Sequence, residues 1–188
     1  MTETEASFTI RGIKINRQLF RFILTSAILY ISWETVYQFW IHPNQTIELL
    51  LVRNLTWFCE SILSLLGYGL IPTVFLDENV RTLGIDGSHG VFIADSCAGL
   101  PLLALFAGFI LAYPGPISKK LWFIPLGLVT VHLINVVRIV ALCLLANHAP
   151  ELLDFNHHYT FTITVYACIF LLWVIWVNKF GAVAQSKE

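Results

Sequence analysis

Residues 121–146 read LWFIPLGLVTVHLINVVRIVALCLLA and contain a single charged side chain, Arg138. About 20 mostly apolar residues are enough for a helix to cross the hydrocarbon core of a bilayer. We therefore predict a membrane-spanning helix over residues 120–147, long enough to cross with some tilt.

The composition of the whole chain agrees with a membrane protein. Of its 188 residues, 57% are hydrophobic and only 12% are charged, whereas a soluble domain carries about a quarter charged residues. The net charge is −1, and no basic patch interleaved with aromatic residues indicates nucleic acid. The expected partner at this level is the lipid bilayer. The four cysteines form no Cys-x-x-Cys pair, so neither a zinc knuckle nor a thioredoxin-type site is indicated.

Further apolar runs on both sides of this stretch complete the predicted fold, an all-α, polytopic transmembrane bundle of about five membrane helices. We predict helices near residues 18–40, 46–70, 97–113, 120–147 and 159–180. Residues 77–96 form a polar loop with a turn between two short extended pieces, just before the third helix. We assign residues 1–17 to a cytoplasmic polar tail, 18–180 to the transmembrane domain and 181–188 to a polar C-terminal tail. The first apolar run lacks a cleavage site and is expected to be retained.

The distribution of lysines predicts an orientation in a cytoplasmic (inner) membrane. Lys119, Lys120 and Lys179 mark helix ends that the positive-inside rule places in the cytoplasm. Cys97 then faces the non-cytoplasmic side. The basic N-terminal tail is also expected inside, which requires the stretch 46–76 to start and finish on one face. Two charged residues within it, Arg53 and Glu60, favour an interfacial, re-entrant or doubly crossing segment.

Arg138 is the least expected residue of the central helix, because an ionisable group within a span is costly and is a functional hypothesis by default. Asn135 and His132 precede it at intervals of three residues, so the three form a polar stripe on one side of the helix. The structural alternative is that Arg138 pairs with an acidic residue such as Glu60 or Asp95. The composition favours neither reading over the other.

Cys97 follows a polar loop, has small neighbours and lies at the predicted start of a helix. The partial positive charge of a helix N-terminus favours the thiolate, which is the nucleophilic form. His157 and His158 lie at the start of the last helix, at the level expected for Cys97. Either imidazole can take a proton from a thiol and return it to a leaving amine. The alternatives are a cysteine that only packs and two interfacial histidines without a catalytic role.

Three of these segments resemble the exosortase/archaeosortase family in order, spacing and membrane context. They are residues 96–100 (SCAGL), residues 135–139 (NVVRI) and the histidine at the start of the last helix. Residues 119–127 (KKLWFIPLG) also resemble the shorter bacterial members. The likeness covers residues from about 91 to 178. The chain is shorter than the longer exosortases, and Ala98 stands where many members carry Ser or Asn.

This resemblance implies a membrane-embedded cysteine peptidase or transpeptidase that processes C-terminal sorting signals of exported proteins. Such a signal is a short motif, a transmembrane helix and a basic tail. The family pattern implies Cys97 as the nucleophile, Arg138 as the positive group and His157 as the proton carrier. His157 is preferred to His158 because shorter members show His, one variable residue and then an aromatic residue.

Beside this triad, Asn135, His158 and Asp95 are candidate accessory groups. Asn135 is expected to orient Arg138 or to bind the substrate backbone. No cofactor and no metal is expected. One rival function is a non-enzymatic membrane assembly or scaffold protein, in which Arg138 pairs structurally and Cys97 only packs. A second rival, a metal-, haem- or proton-handling protein, would be built on the histidines His132, His148, His157 and His158.

Overall fold

The computed structural model describes residues 7–10, 13–72, 75–77, 80–93 and 97–181. Within them, five helices of 13 or more residues form the architecture, so the predicted all-α membrane bundle is confirmed. In chain order they are α1 (Arg17–Val36), α2 (Thr46–Leu65), α3 (Leu100–Ala112), α4 (Ile117–His148) and α5 (Phe161–Phe180).

By length and composition, three helical segments in the described part of the chain are able to cross a membrane. They are Arg17–Asn44, Ile117–His148 and Pro150–Phe180. Helix α3 is apolar but has only 13 residues. Helix α2 is not among the three, and it carries the charged residues Arg53 and Glu60. The predicted number of about five helices therefore consists of three candidate spans, one short apolar helix and α2, which carries several charged residues within an otherwise apolar sequence.

Helix α1 continues without a break into a π-helix, Tyr37–Ile41, and one further turn, His42–Asn44. It ends at Gln45, whose φ of 54° is left-handed and stops the helix before α2 begins. The junction holds a buried carboxylate, Glu48, which is 1% exposed and accepts a 2.6 Å hydrogen bond from the hydroxyl of Tyr37. This bond ties the end of α1 to the first turn of α2.

Helix α2 runs parallel to the second half of α4, as contacts that advance together along both helices show. Asn54 lies 2.9 Å from His132, and the Cys59 thiol lies 3.7 Å from the carbonyl oxygen of Val136. Tyr68, just beyond α2, reaches His148 at 3.1 Å. The expectation that the stretch 46–76 starts and finishes on one face is therefore wrong, because α2 runs alongside α4 and its two ends lie at different levels of that helix.

Helices α3 and α5 both run antiparallel to α4 and pack on its first half. A Cβ atom on Gly127 would lie 2.0 Å from the ring of Phe106, so α3 and α4 are in close contact there. At the Pro114–Gly115–Pro116 connector between them, Gly115 lies against Trp176 and Phe180 of α5. These helices share one apolar core cluster, centred on Phe106, Phe123 and Trp176.

The start of α1 lies at the same end of the bundle as this connector. The Phe22 ring packs against Phe109 and Tyr113 of α3 at 5.5 Å. The chain nevertheless reaches the opposite end by Tyr68, at His148. Together, α1 and α2 therefore make one net passage along the bundle, from the connector end to the His148 end.

The predicted turn between two extended pieces is confirmed as an antiparallel pair, β4 (Val80–Leu83) with β5 (Val91–Ile93). A third strand, β3 (Phe75–Asp77), pairs with β4. Gly84 and Gly90 let the chain fold back tightly, since a Cβ on Gly84 would lie 2.5 Å from the Gly90 Cα. A further hairpin, β1 (Ser7–Ile10) with β2 (Ile13–Asn16), lies within the polar tail and was not predicted.

This small sheet packs on the last part of α4. Leu83 and Ile93 are fully buried in a second core cluster with Leu142 and Cys143. The Cys143 thiol lies 3.8 Å from the carbonyl oxygen of Leu83. The sheet therefore covers the part of α4 that leads to His148, and its last strand ends at the buried residue Ile93.

Candidate active site

Cys97 lies just before α3 and is 8% exposed. The helix was predicted to begin at Cys97 but begins at Leu100, because Gly99 between them has a left-handed φ of +77°. The carbonyl of Gly99 accepts the first two hydrogen bonds of the helix, from Leu102 and Leu103. Cys97 is thus held in a turn against the helix N-terminus instead of within the helix.

Asn135 of α4 fixes this turn. Its side-chain nitrogen donates a 2.7 Å hydrogen bond to the carbonyl oxygen of Cys97, and the asparagine is only 2% exposed. A Cβ on Gly99 would lie 3.2 Å from the same nitrogen. Sequence reasoning expected Asn135 to orient Arg138 or bind substrate, and missed this contact. Its only sequence signal was an amide in a polar stripe of an apolar helix.

Arg138 follows Asn135 by three residues and carries an uncompensated charge. Among the described residues it has no ion pair and no hydrogen-bond partner, and its Nε atom is buried. The structural alternative of a pair with Glu60 is therefore not realised. Asp95, the other acidic candidate, lies outside the described residues. Arg138 as a whole is only partly buried, but an ionisable side chain within an apolar span is costly, so its position requires an explanation other than an ion pair.

His157 lies on a π-helix, Asn156–Thr160, that leads into α5. Its side chain is partly buried, and it is close enough to Arg138 for the two charges to interact. Neither of its ring nitrogens has a hydrogen-bond partner in the described part of the chain. The imidazole is therefore free to exchange a proton with an incoming group.

His158 has a different environment from its neighbour. It is exposed, and its Nδ1 lies 3.0 Å from the carbonyl oxygen and 3.1 Å from the carboxylate of Asp154. One ring nitrogen of His158 is thus already in contact with Asp154, one helical turn earlier in the chain. The environment of His157 suits a proton carrier better than that of His158, and the choice between them stays a prediction.

The structure joins Cys97 to Asn135 by a hydrogen bond, and it places Arg138 within the range over which its charge acts on His157. Asn135 and Arg138 both belong to α4, where they lie three positions apart. No hydrogen bond joins the Cys97 thiol to Arg138 or His157 within the described residues. Catalytic hydrogen bonds are often long before substrate binds, so the catalytic roles of these residues stay a prediction.

Two further cysteines and two further histidines have contacts away from Cys97. Cys59 and Cys143 are fully buried against backbone carbonyls. His132 contacts Asn54, and His148 contacts Tyr68. Within residues 7–181, leaving aside the undescribed gaps, no three His, Cys, Asp or Glu side chains are grouped as a metal site would need. The histidines that a metal-binding function would use are thus dispersed over different contacts.

Comparison with known proteins supports one family. A family model described as transmembrane exosortase matches residues 6–175, which extends the likeness from the second half of the chain to nearly all of it. No curated protein and no solved structure matches significantly. The match includes the turn at Cys97, the polar stripe of α4 and the start of α5. The chain therefore belongs to the transmembrane exosortase family.

Proposed function

We propose that this protein is a membrane-embedded cysteine transpeptidase or peptidase that processes C-terminal sorting signals of exported proteins. Membership of the exosortase family gives the general function. The observation that carries the specific proposal is the guanidinium of Arg138, which has no partner among the residues that the structure describes. It lies one helical turn from the asparagine that holds Cys97, within the range over which its charge acts on His157. A positive charge kept without a partner is suited to an anion that forms only during reaction.

In the proposed reaction, the Cys97 thiolate attacks the carbonyl carbon of the scissile peptide bond. His157 takes the thiol proton and later donates it to the leaving amine. The resulting thioester carries the new C-terminus of the exported protein. Water or an acceptor amine then attacks the thioester and releases Cys97. In both tetrahedral intermediates Arg138 stabilises the negative oxygen, and loss of one such contact typically lowers the rate by roughly 10²- to 10³-fold.

The depth of the site along α4 fits a substrate that arrives on a membrane anchor. If the hydrocarbon core begins at Lys120, a thickness of about 30 Å at about 1.5 Å per residue ends near Val140. Counted back from Val140 at the same rise per residue, Asn135 and Arg138 then lie within roughly 3–8 Å of that boundary. The sheet on the last part of α4 lies beyond it. We infer that the site opens toward the non-cytoplasmic side of the inner membrane, where a motif just outside a transmembrane helix would reach it.

A non-enzymatic scaffold remains the alternative, and the two functions predict different results for one substitution. We propose to express the protein with a co-occurring exported protein that ends in a motif, a transmembrane helix and a basic tail. Removal of this C-terminal tail is measured by the change in gel mobility and by mass spectrometry of the exported protein. Cys97→Ala is expected to abolish removal, whereas Cys168→Ala, a partly buried cysteine in the apolar part of α5, is expected to leave it intact.

Cys97→Ser supplies a second test of the nucleophile, because its hydroxyl keeps the size but not the reactivity of the thiol. We expect strongly reduced processing in this variant too. Unchanged processing with Cys97→Ala, in protein that still accumulates in the membrane, would refute the enzyme and favour the scaffold.

A further inference from the structure

The side-chain amide of Asn135 has two ends, and only one of them is used within the protein. The carbonyl oxygen of Cys97 is an acceptor only, so the atom facing it at 2.7 Å must be the amide nitrogen. This fixes the orientation of the amide. Its oxygen, Oδ1, then points to the other side, where it is buried without a hydrogen-bond partner in the described part of the chain.

An unused acceptor of this kind is unexpected for a structural asparagine. A buried polar group without a partner costs about 1–3 kcal/mol. A side chain with a single hydrogen-bond donor would suffice to hold Cys97. It would not carry the free-energy cost of a second buried polar group without a partner. The unused atom lies beside the proposed nucleophile, on the same stripe of α4 as Arg138. The adjacent segment, Ala98 and Gly99, has almost no side-chain bulk but is itself buried, so a peptide backbone comes close to it only when the packing that covers it moves.

We propose that Asn135 is a positioning residue with two functions, holding the Cys97 backbone through its nitrogen and receiving a main-chain N–H of the substrate through Oδ1. The N–H belongs to a residue next to the scissile bond, in an extended peptide. The inference rests on the proposed function of Cys97 and names the substrate group that its neighbour recognises. Because Oδ1 is buried, the incoming backbone takes the place of the packing that covers it.

The test measures alkylation of Cys97, which needs no turnover. In a chain whose other three cysteines are replaced by alanine, two probes are compared by intact-protein mass spectrometry. They are N-acetyl-Gly-Gly chloromethyl ketone and its analogue methylated on the amide nitrogens. Each probe reacts by forming a carbon–sulfur bond and releasing chloride. Iodoacetamide, which carries no peptide backbone, reports the intrinsic reactivity of the thiol.

In the parent protein, N-methylation of the probe is expected to slow alkylation at least tenfold beyond the difference that the two probes show with free cysteine. In Asn135→Leu, this excess penalty is expected to disappear. Asn135→Asp keeps an acceptor but loses the donor to Cys97, so the penalty is expected to persist while the iodoacetamide rate changes. Asn147→Leu, on the same helix but bonded to His148, is the matched control and should behave as the parent.

The proposal is overturned if Asn135→Leu, eluting as a single symmetric peak in detergent, retains the full penalty for N-methylation. It is also overturned if the parent shows no penalty. If Asn135→Leu does not fold, the parent and Asn135→Asp still test the proposal. A penalty for N-methylation in both supports it, and its absence from either overturns it. Failure of the proposed enzyme function is a separate result, since it appears as tail processing that does not depend on Cys97.

Discussion

The contact between α3 and α4 allows a prediction that follows from the space around one glycine, Gly127. An added Cβ on Gly127 would lie 2.0 Å from Cζ and 2.3 Å from Cε1 of Phe106. Separations below 3.0 Å require one partner to move. Phe106 is fully buried, between Ile110 and Phe123 in the same cluster, so its ring has no free space to enter. Gly127→Ala must therefore separate the two helices.

The magnitude follows from two opposing effects. Overpacking of a tight core costs about 1–3 kcal/mol, and a ring that cannot move favours the upper value. Alanine in place of glycine within a helix returns about 1 kcal/mol. The net loss is about 2 kcal/mol, which for a chain of this length corresponds to a fall in Tm of about 4–8 °C.

Gly108 provides a matched control, because it lies in α3 and a Cβ there would meet nothing within 4 Å. Gly108→Ala is expected to raise Tm by about 1–4 °C, since only the gain in helix propensity of about 0.5–1 kcal/mol remains. The two alanine substitutions are thus predicted to have opposite signs.

The assay is thermal unfolding of the purified protein in one detergent, followed by loss of the monodisperse peak. Phe106→Leu removes the ring that causes the clash, so in that background Gly127→Ala should cost at least 1 kcal/mol less, a coupling typical of residues in contact. Equal and favourable shifts for Gly127→Ala and Gly108→Ala would refute the close approach of α3 and α4.

Three further predictions concern single polar groups. Arg138→Gln is expected to leave Tm unchanged or raised, because no ion pair is lost among described residues, while tail processing falls roughly 10²- to 10³-fold. A large loss of Tm would instead indicate a structural arginine. Tyr37→Phe removes the hydroxyl from Glu48 and should cost about 1.5–3 kcal/mol in the same assay; an unchanged Tm would contradict this. Lys120→Met removes a 2.8 Å hydrogen bond to the carbonyl of Leu111 at the end of α3 and should cost about 0.3–1 kcal/mol, with any gain in Tm counting against the bond.

The long helices and the hairpin before Cys97 were predictable because their causes are local. Apolar runs of sufficient length determine where α4 and α5 lie, and Pro114 and Pro116 end one helix and begin the next. The glycines at 84 and 90 mark the fold-back of the hairpin. The short hairpin β1–β2 was not predicted, since strands of four residues in a polar segment carry little periodic signal.

The direction of α2 and the contacts of the site depend on packing between distant segments, which spacing along the chain does not determine. The bond from Asn135 to Cys97 joins residues 38 positions apart. The predicted helix start at Cys97 was wrong because a single left-handed glycine, Gly99, separates the cysteine from the helix. The roles assigned to Cys97 and Arg138 stay predictions, although the structure supplies no structural partner for the arginine among its described residues.

The single net passage made by α1 and α2 has a practical consequence for labelling experiments. With α3, α4 and α5 each adding one traverse, the described chain has an even number of net traverses. The start of α1 and Phe180 lie at the same end of the bundle, beside the connector at Pro114, so we expect both in the same compartment. A phosphatase reporter joined to either terminus should therefore give the same result, and a reporter inserted in the turn at Gly87 should give the opposite one.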